Sequence, residues 1–142
     1  MSRLAPRLAE IPALAGRIHS AAVLSTLMKS NGLPQVCPAA FALPLGIGGG
    51  QPDAATGLYR QPVEWLDGVL LVVRAAGDAT GAAALVQLDP LITATIEAIC
   101  GWGPDDMPGV YRLVKGELVG LQAGTLTYQL DFAIEDQLRI AR

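Results

Sequence analysis

The sequence has little of what a catalytic or metal site needs: one histidine, two cysteines and few charged side chains. A Ser-His-Asp triad would have to use His19. This residue adjoins Ser20 at a predicted strand–helix junction, where capping or packing is the better interpretation. Cys37 and Cys100 are far apart and share no metal-ligand spacing, so we interpret them as reduced, small buried side chains. No enzyme, cofactor or metal site is predicted.

Aromatic side chains are also scarce, at 5% of the chain, which leaves few candidates for stacking a base or a sugar. Trp65 and Trp102 could do so, but such residues are more often packing or interface anchors. The acidic pair Asp105 and Asp106 lies between Gly-Pro and Pro-Gly. That setting is typical of turns rather than of a metal site.

A basic excess is missing as well. The formal net charge is −3, and the ten lysines and arginines are scattered. Nucleic-acid-binding domains usually concentrate positive charge on one face. The sequence therefore predicts no DNA-binding groove, although it does not exclude passive proximity to DNA.

No apolar run approaches the ~20 residues that a membrane span requires. The run at residues 69–73 ends at Arg74, and the run at 91–99 contains Glu97. The first residues include Pro6 and Arg7 where a signal peptide would need an apolar core. We therefore expect a cytoplasmic protein without a membrane partner.

What is present is a pattern of strands and helices. "LTYQLDFAI" (126–134) alternates strictly, with Leu126, Tyr128, Leu130, Phe132 and Ile134 on one face, and Leu138 and Ile140 continue the phase. Strands are also predicted at 38–45, ending or at an edge at Pro44, and at 58–74, bent near Pro62 and Gly68. Residues 110–114 and 117–121 flank a bulge or tight turn at Lys115-Gly116, and a hairpin turn follows at 122–124.

Helices are predicted at residues 2–10, after Ser20 as N-cap, and from about 79 to 100 with Asp78 as cap. In the long helix an amphipathic stripe recurs at helical spacing: Leu85, Leu88, Ile92, Ile96 and Ile99. Asp89-Pro90 predicts a kink or a restart. The order of elements favours one α+β domain over residues 1–142, with a long helix and shorter N-terminal helices packed on a largely antiparallel mixed sheet.

The segment "VLLVV" (69–73) is apolar on both faces. A strand with one face in water should alternate, so both faces of this strand need cover. A second helix layer could supply the cover, and so could a neighbouring subunit.

The glycine-rich segment "GIGGG" (46–50) fails both phosphate-binding patterns. It lacks the Lys and Ser/Thr of a P-loop. A dinucleotide fingerprint needs a glycine where Gln51 stands. We interpret residues 46–57 as a long flexible connection between two strands.

Several segments together resemble the small tail-terminator proteins of long-tailed phages and prophages. They are the apolar strand ending at Arg74, the long helix, "GWGP" at 101–104, "GEL" at 116–118, and a glycine turn followed by "DFAI" at 131–134. "PAAFALPLG" at 38–46, followed by a glycine segment, is similar too. The resemblance covers nearly the whole chain and rests on turn and packing patterns rather than on catalytic signatures.

The resemblance implies a structural virion protein. Such proteins form a ring, usually of six subunits, on the head-proximal end of the tail tube. The ring stops tube polymerisation and offers a surface for joining the head. The implied partners are further copies of the chain, the tail tube protein and a head–tail connector or neck protein, with DNA passing through the lumen without specific binding.

Two sets of residues are candidates for these contacts. Charged side chains flanking the apolar strands are expected at the subunit interface: Arg60, Glu64, Arg74, Arg112 and Glu117. The glycine segment is expected to order on the tube through Gly48, Gly49, Gly50, Gln51 and Asp53. Two alternatives stay open at this point: another neck or connector component, or a small-molecule-binding α+β domain with a concave polar pocket.

Overall fold

The computed structural model describes residues 3–30, 32, 34, 36–75, 82–122 and 124–142. Its helices are α1 (Ala5–Leu8), a 3₁₀ helix (Pro12–Leu14), α2 (Ala21–Lys29) and α3 (Ala82–Ile99). Its strands are β1 (Ile18–Ser20), β2 (Ala39–Gly49), β3 (Asp53–Ala55), β4 (Leu58–Arg74), β5 (Arg112–Gln122) and β6 (Thr125–Ala141). The strands form one sheet in the order β1-β2-β4-β6-β5, with β3 also paired to β4.

The centre of the sheet is a long antiparallel pair. Strands β4 and β6 each contain 17 residues and stay in unbroken register from Leu58 opposite Ala141 to Arg74 opposite Thr125. At about 3.3 Å per residue the pair is about 55 Å long. Among the described strands only β1 and β2 pair in parallel, so the predicted α+β fold with a mostly antiparallel, mixed sheet is confirmed.

Helices cover both faces of one half of this sheet. On one side, which we call the α3 face, residues 69, 71 and 73 of β4 and the alternating residues of β6 pack against α1, the 3₁₀ helix and α3. On the other side, the α2 face, Phe41, Leu70 and Val72 pack against Leu24 and Leu27 of α2. The segment at 69–73 is therefore covered on both faces within the chain. Of the two predicted ways to cover it, the second helix layer is right and the neighbouring subunit is not needed.

Helix α3 continues through Pro90 without a restart. A proline cannot bond the carbonyl four residues earlier. Here that carbonyl belongs to Val86, which is 74% exposed, so water can reach it. The predicted cap Asp78 lies outside the described residues. Gly101 ends the helix region with φ of 81°, a conformation that glycine adopts without strain.

The buried face of α3 differs from the predicted stripe. Its buried residues are Ala84, Leu88, Leu91, Thr95 and Ile99. Leu85, a member of the predicted stripe, is half exposed. By length and composition alone α3 could cross a membrane, with mean hydropathy 1.4 over 18 residues. It packs on β4 and β6, and a core helix meets the same criterion.

The structure of the N-terminal region agrees in outline with the prediction from the sequence. The first helix is shorter than predicted, since α1 ends at Leu8 and Pro12 opens the 3₁₀ helix. Ser20 caps α2 as predicted, because its Oγ accepts a hydrogen bond from the Val23 N–H at 3.4 Å.

Of two predictions about strand irregularities, one needs correction and the other is right in one of its two alternatives. The irregularity near Gly68 lies in β2, between Pro44 and Gly46, and not in β4. A Cβ on Gly68 would lie 2.9 Å from the Leu45 side chain, so glycine makes room for the bulged residue. At Lys115-Gly116 the predicted bulge is right, since a register shift adjoins Lys115, and the predicted tight turn is wrong. β5 is continuous, with register shifts between Leu113 and Lys115 and between Leu118 and Gly120.

Candidate functional site

The five predicted interface residues lie on one face of the sheet. Arg60, Glu64 and Arg74 share the even-numbered side of β4 with Leu70 and Val72. Arg112 and Glu117 are opposite Ala133 and Gln129 of β6. Paired residues in neighbouring strands point to the same side, so all five project from the α2 face. Of these five, the structure brings Arg112 into contact with Glu64, 48 positions earlier in the sequence.

These charges are already partnered within the chain. Arg112 bonds Glu64 at 3.0 Å, Arg60 bonds Asp53 at 3.2 Å, and Lys115 bonds Glu117 at 3.2 Å. Arg74 donates to the Pro34 carbonyl at 2.9 Å. The three ion pairs are partly exposed, and such pairs contribute about 0–1 kcal/mol each. They can therefore exchange partners at little cost when another surface approaches.

The glycine segment is not the loose connection that was predicted. Gly48 and Gly49 are the last residues of β2, opposite Glu64 and Val63. The Gly50 N–H donates to the Pro62 carbonyl at 2.7 Å. A Cβ would lie 2.6 Å from the Gln61 side chain at Gly49, and 2.9 Å from the Pro62 side chain at Gly50. Gly49 and Gly50 therefore permit close approach to β4, and residues 50–52 join β2 to β3.

Beyond Val63 the strand pair leaves the helix-covered part of the sheet. We call residues 53–62 and 137–142 the ribbon tip. On its α3 face Tyr59, Leu138 and Ile140 continue the apolar phase of the core, but they belong to neither buried cluster. On the other face lie Arg60 and Arg139. The ribbon tip is thus amphipathic, and its apolar face is only half-buried.

A second apolar surface lies on the same face, at the β5 edge of the sheet. Leu113, Leu118 and Leu121 of β5 are paired with Phe132, Tyr128 and Leu126, and so project from the α3 face. They are 39%, 51% and 54% exposed. We call these three residues the β5 strip.

A buried polar cluster lies near the end of the helix-covered part of the sheet, and sequence reasoning missed it. Tyr111 Oη donates to Asp67 Oδ2 at 2.6 Å, and Arg3 Nη1 lies 3.7 Å from the same oxygen. The Arg3 guanidinium also lies 4.4 Å from the centroid of the Trp65 ring. The sequence did contain a signal for the burial of Asp67, because Asp67 lies on the same face of β4 as the buried Val69 and Leu71.

Burial, and then the hydrogen bond to the Asp67 carboxylate, raise the pKa of Tyr111 well above its usual range. The phenol therefore remains a donor at neutral pH. With the tyrosine and the arginine both directed at it, the carboxylate is held by partners within the fold. The cluster fixes the segment after α3 to the sheet, which is a structural role rather than a catalytic one.

The remaining candidates for chemistry also have structural partners. His19 packs on Phe41 with ring centroids 5.2 Å apart, and Trp102 stacks on Tyr111 at 5.9 Å. Among the described residues no group of three or more histidine, cysteine, aspartate or glutamate side chains could hold a metal. A groove of about 450 Å³ beside α3 is lined by Ile11, Pro12, Ala13, Pro38, Gln87, Pro90, Leu91 and Ala94. It offers one polar side chain, whereas small-molecule sites combine several converging polar groups.

Comparison with known families places these features in context. The family model described as "Phage tail terminator protein" matches residues 2–142. A search of curated proteins gives no match. The family is one of phage structural proteins, whose members contact tail and head-side components. Since the match spans nearly the whole chain, this chain belongs to the phage tail terminator family and is a component of the virion tail.

Proposed function

We propose that this chain forms a ring of six copies on the head-proximal end of the tail tube. The ring stops tube polymerisation and presents the surface to which the head–tail connector or neck protein binds. The protein has no enzymatic activity in this role and needs no cofactor. During assembly it is in the host cytoplasm, and afterwards it is in the neck of the virion.

The observation that carries the proposal is that at least two separate apolar surfaces of the described chain are only partly covered by the chain itself. One is the α3 face of the ribbon tip, and the other is the β5 strip. A closed ring needs a heterologous interface, in which one patch binds a different patch on the next copy. Two distinct apolar patches on one chain meet that requirement.

The charged residues of the α2 face, on the side of the sheet opposite the two apolar surfaces, contribute separate polar subunit contacts: Arg60, Glu64, Arg74, Arg112 and Glu117. Their ion pairs within the chain can be exchanged for pairs between copies, because exposed pairs differ little in free energy.

The end of β2 and the turn after it contact the tail tube protein through Gly48, Gly49, Gly50, Gln51 and Asp53. These residues lie beside the ribbon tip and are exposed. Because Gly48 and Gly49 already belong to a strand, this contact docks an ordered edge and does not require a mobile loop to fold.

DNA passes through the lumen of the ring without specific binding. The net charge of −3 suits that role, since a basic lumen would hold the phosphate backbone by releasing counterions. At ~0.15 M salt, where surface charges are screened beyond about 8 Å, we expect no shift of duplex DNA in a gel assay.

The deciding experiment is electron microscopy of lysates from a phage with a null allele of this gene. We expect tails that overgrow or fail to join heads, while the heads still fill with DNA. A plasmid copy of the gene should restore tails of normal length. Tails of normal length joined to full heads would overturn the proposal, and tails of normal length left unjoined would indicate a neck component instead.

A further inference from the structure

Helix α2 has few attachments to the sheet that it covers. None of its nine residues is buried, whereas α3 buries side chains from Ala84 to Ile99. The side chains of α2 that pack on the sheet are Leu24 and Leu27, and both are only half-buried. A helix shorter than about 12 residues is marginal in water on its own. The closed position of α2 therefore depends mainly on these two leucines.

The polar groups of α2 do not hold it to another element. Among the described residues, its side-chain hydrogen bonds are local: Ser20, Thr26 and Ser30 bond to backbone groups three or four residues away. The N-terminal segment differs, since Arg7 Nε donates to the Ala98 carbonyl of α3 at 2.6 Å. Within the described chain, α2 can thus leave the sheet without breaking a hydrogen bond to another element.

The sheet under α2 keeps its backbone pairing without the helix. We call Phe41, Leu70 and Val72, the buried residues beneath α2, the floor. Strand β4, which carries two of them, is paired on one side with β2 and on the other with β6. Its opposite face is held by the core of the α3 face, which includes no residue of α2. Loss of α2 would therefore expose the floor and leave the strand ladder intact.

The junction between β1 and α2 provides a pivot. Strand β1 ends at Ser20 and α2 begins at Ala21, with Ser20 in an extended conformation (φ −88°, ψ 168°). Residues Ile18–Ser20 are paired with β2, so this end of the segment is fixed to the sheet. A rotation of the backbone at Ser20 moves the helix and leaves the strand in place.

We propose that α2 is a lid, which pivots at Ser20 and opens as a unit while the rest of the sheet stays folded. Proteins open in such units where a segment has few buried apolar contacts. The lid is a property of the single chain and does not depend on the proposed ring. Opening adds the apolar floor to the α2 face beside Arg74. A partner that binds the floor binds only the open fraction of chains.

Thiol labelling at two valines of β4 tests the lid. Val72→Cys places a thiol in the floor and Val69→Cys places one in the core of the α3 face, where the native valines are 3% and 0% exposed. Both chains also carry Cys37→Ala and Cys100→Ala. Labelling by a low concentration of N-ethylmaleimide is followed by mass spectrometry, and each rate is divided by that of the same chain unfolded in urea.

We expect the normalised rate at position 72 to exceed that at position 69 by about twentyfold or more, because opening of the lid exposes only the floor. Equal normalised rates would mean that both positions become accessible only when the whole chain unfolds. That result would overturn the lid.

A substitution on the exposed side of α2 shows whether this helix is the part that moves. Ser25 is exposed in the middle of α2, and Ser25→Ala and Ser25→Gly differ there in helix propensity. Glycine disfavours the helix enough to raise the open fraction about fivefold over alanine. Val72→Cys should therefore be labelled about fivefold faster with Ser25→Gly than with Ser25→Ala. Equal rates would overturn the lid, since exposure of position 72 would not involve α2.

Ile99→Val is the matched change on the other side of the sheet. Ile99 is 0% exposed in the core of the α3 face, and its truncation favours global unfolding. It should speed the labelling of Val69→Cys by about threefold or more and leave that of Val72→Cys within about twofold. An equal increase at both positions would show that position 72 is exposed by global unfolding, and the lid would be wrong.

Discussion

The two halves of the β4–β6 pair have the same alternation of apolar residues, but helices cover one half and not the other. In the covered half Val69, Leu71 and Leu130 are buried under α1 and α3. In the bare half Tyr59, Leu138 and Ile140 continue the same phase and belong to neither buried cluster. The strands are continuous in register through both halves. The comparison shows that alternation defines which face is apolar, whereas the position of the helices defines how far that face is buried within one chain.

The largest effect is expected when a carboxylate is introduced into the covered half of the strand pair, and the same change in the bare half is its control. Leu130→Asp should prevent folding, because it leaves an unpaired carboxylate in the core, at a cost of about 4 kcal/mol or more. Leu138→Asp has the same phase in the same strand and should change the free energy of unfolding by less than about 1 kcal/mol. Urea denaturation followed by circular dichroism measures both. Equal destabilisation would mean that the ribbon tip belongs to the core.

A smaller effect is expected at the boundary between the halves. Tyr111→Phe removes the donor at 2.6 Å from Asp67 and should destabilise the fold by about 1–3 kcal/mol. Tyr59→Phe removes a hydrogen bond to Gln61 in the bare half and should cost less than about 1 kcal/mol. Thermal denaturation at pH 7 distinguishes the two, and a larger loss for Tyr59→Phe would contradict the assigned boundary.

The same tyrosine gives the fold a pH dependence with a definite sign. Its pKa is raised in the folded state, so between the unfolded pKa of about 10 and the folded value the unfolded chain binds fewer protons. Stability is thus fully present below about pH 10 and is lost as the pH rises further. Chemical denaturation from pH 8 to 11 should show a steeper decline for the wild type than for Tyr111→Phe. Equal losses of stability with pH in the two proteins would show that Tyr111 is not the source of this pH dependence.

The next largest change in the free energy of unfolding is expected in the glycine segment. Gly50→Ala places a Cβ 2.9 Å from the Pro62 side chain, and overpacking of this kind costs about 1–3 kcal/mol. Gly48→Ala has open space around its Cβ and should be neutral to within about 0.5 kcal/mol. Differential scanning calorimetry provides the comparison. If Gly48→Ala were the more damaging variant, the strand assignment of residues 46–49 would be wrong.

The smallest effect on folding is expected from the charges of the α2 face. Reversing Arg60 and Arg74 together removes one exposed ion pair and one hydrogen bond, which should cost about 1 kcal/mol in unfolding free energy. Assembly should respond more, with the equilibrium moving toward monomers in analytical ultracentrifugation. Lys29→Glu, on α2, is the matched control for charge. Unchanged assembly of the double variant would show that Arg60 and Arg74 do not contribute to the subunit interface.

The elements that sequence reasoning predicted well are those with a local cause. The bounds of β4, the alternation of β6, the cap at Ser20 and the glycine end of α3 each follow from period, cap or turn chemistry within a few residues. The family resemblance was confirmed over residues 2–142.

The errors at the glycine segment, on α3 and at Asp67 concern contacts between distant segments. The glycines at 46–50 suggested a flexible loop, but a Cβ at Gly49 or Gly50 would collide with β4, a fact that depends on pairing across the sheet. The stripe of α3 included Leu85 because helical spacing cannot show where a neighbouring strand ends. The Asp67–Tyr111 hydrogen bond joins residues 44 positions apart, and periodicity carries no information on such a pair.

By itself the sequence determined the class of fold, the lengths of the central strands, the faces that are apolar and the absence of known phosphate-binding patterns. Each of these depends on residue type and spacing, which are properties of the chain alone. Only the tertiary structure decided that α2 covers the second face of residues 69–73, that the glycines belong to a strand, and that the apolar phase extends beyond the buried clusters at the ribbon tip and the β5 strip. Burial is a relation between surfaces, so it becomes defined only when the distant segments that share a surface have come together.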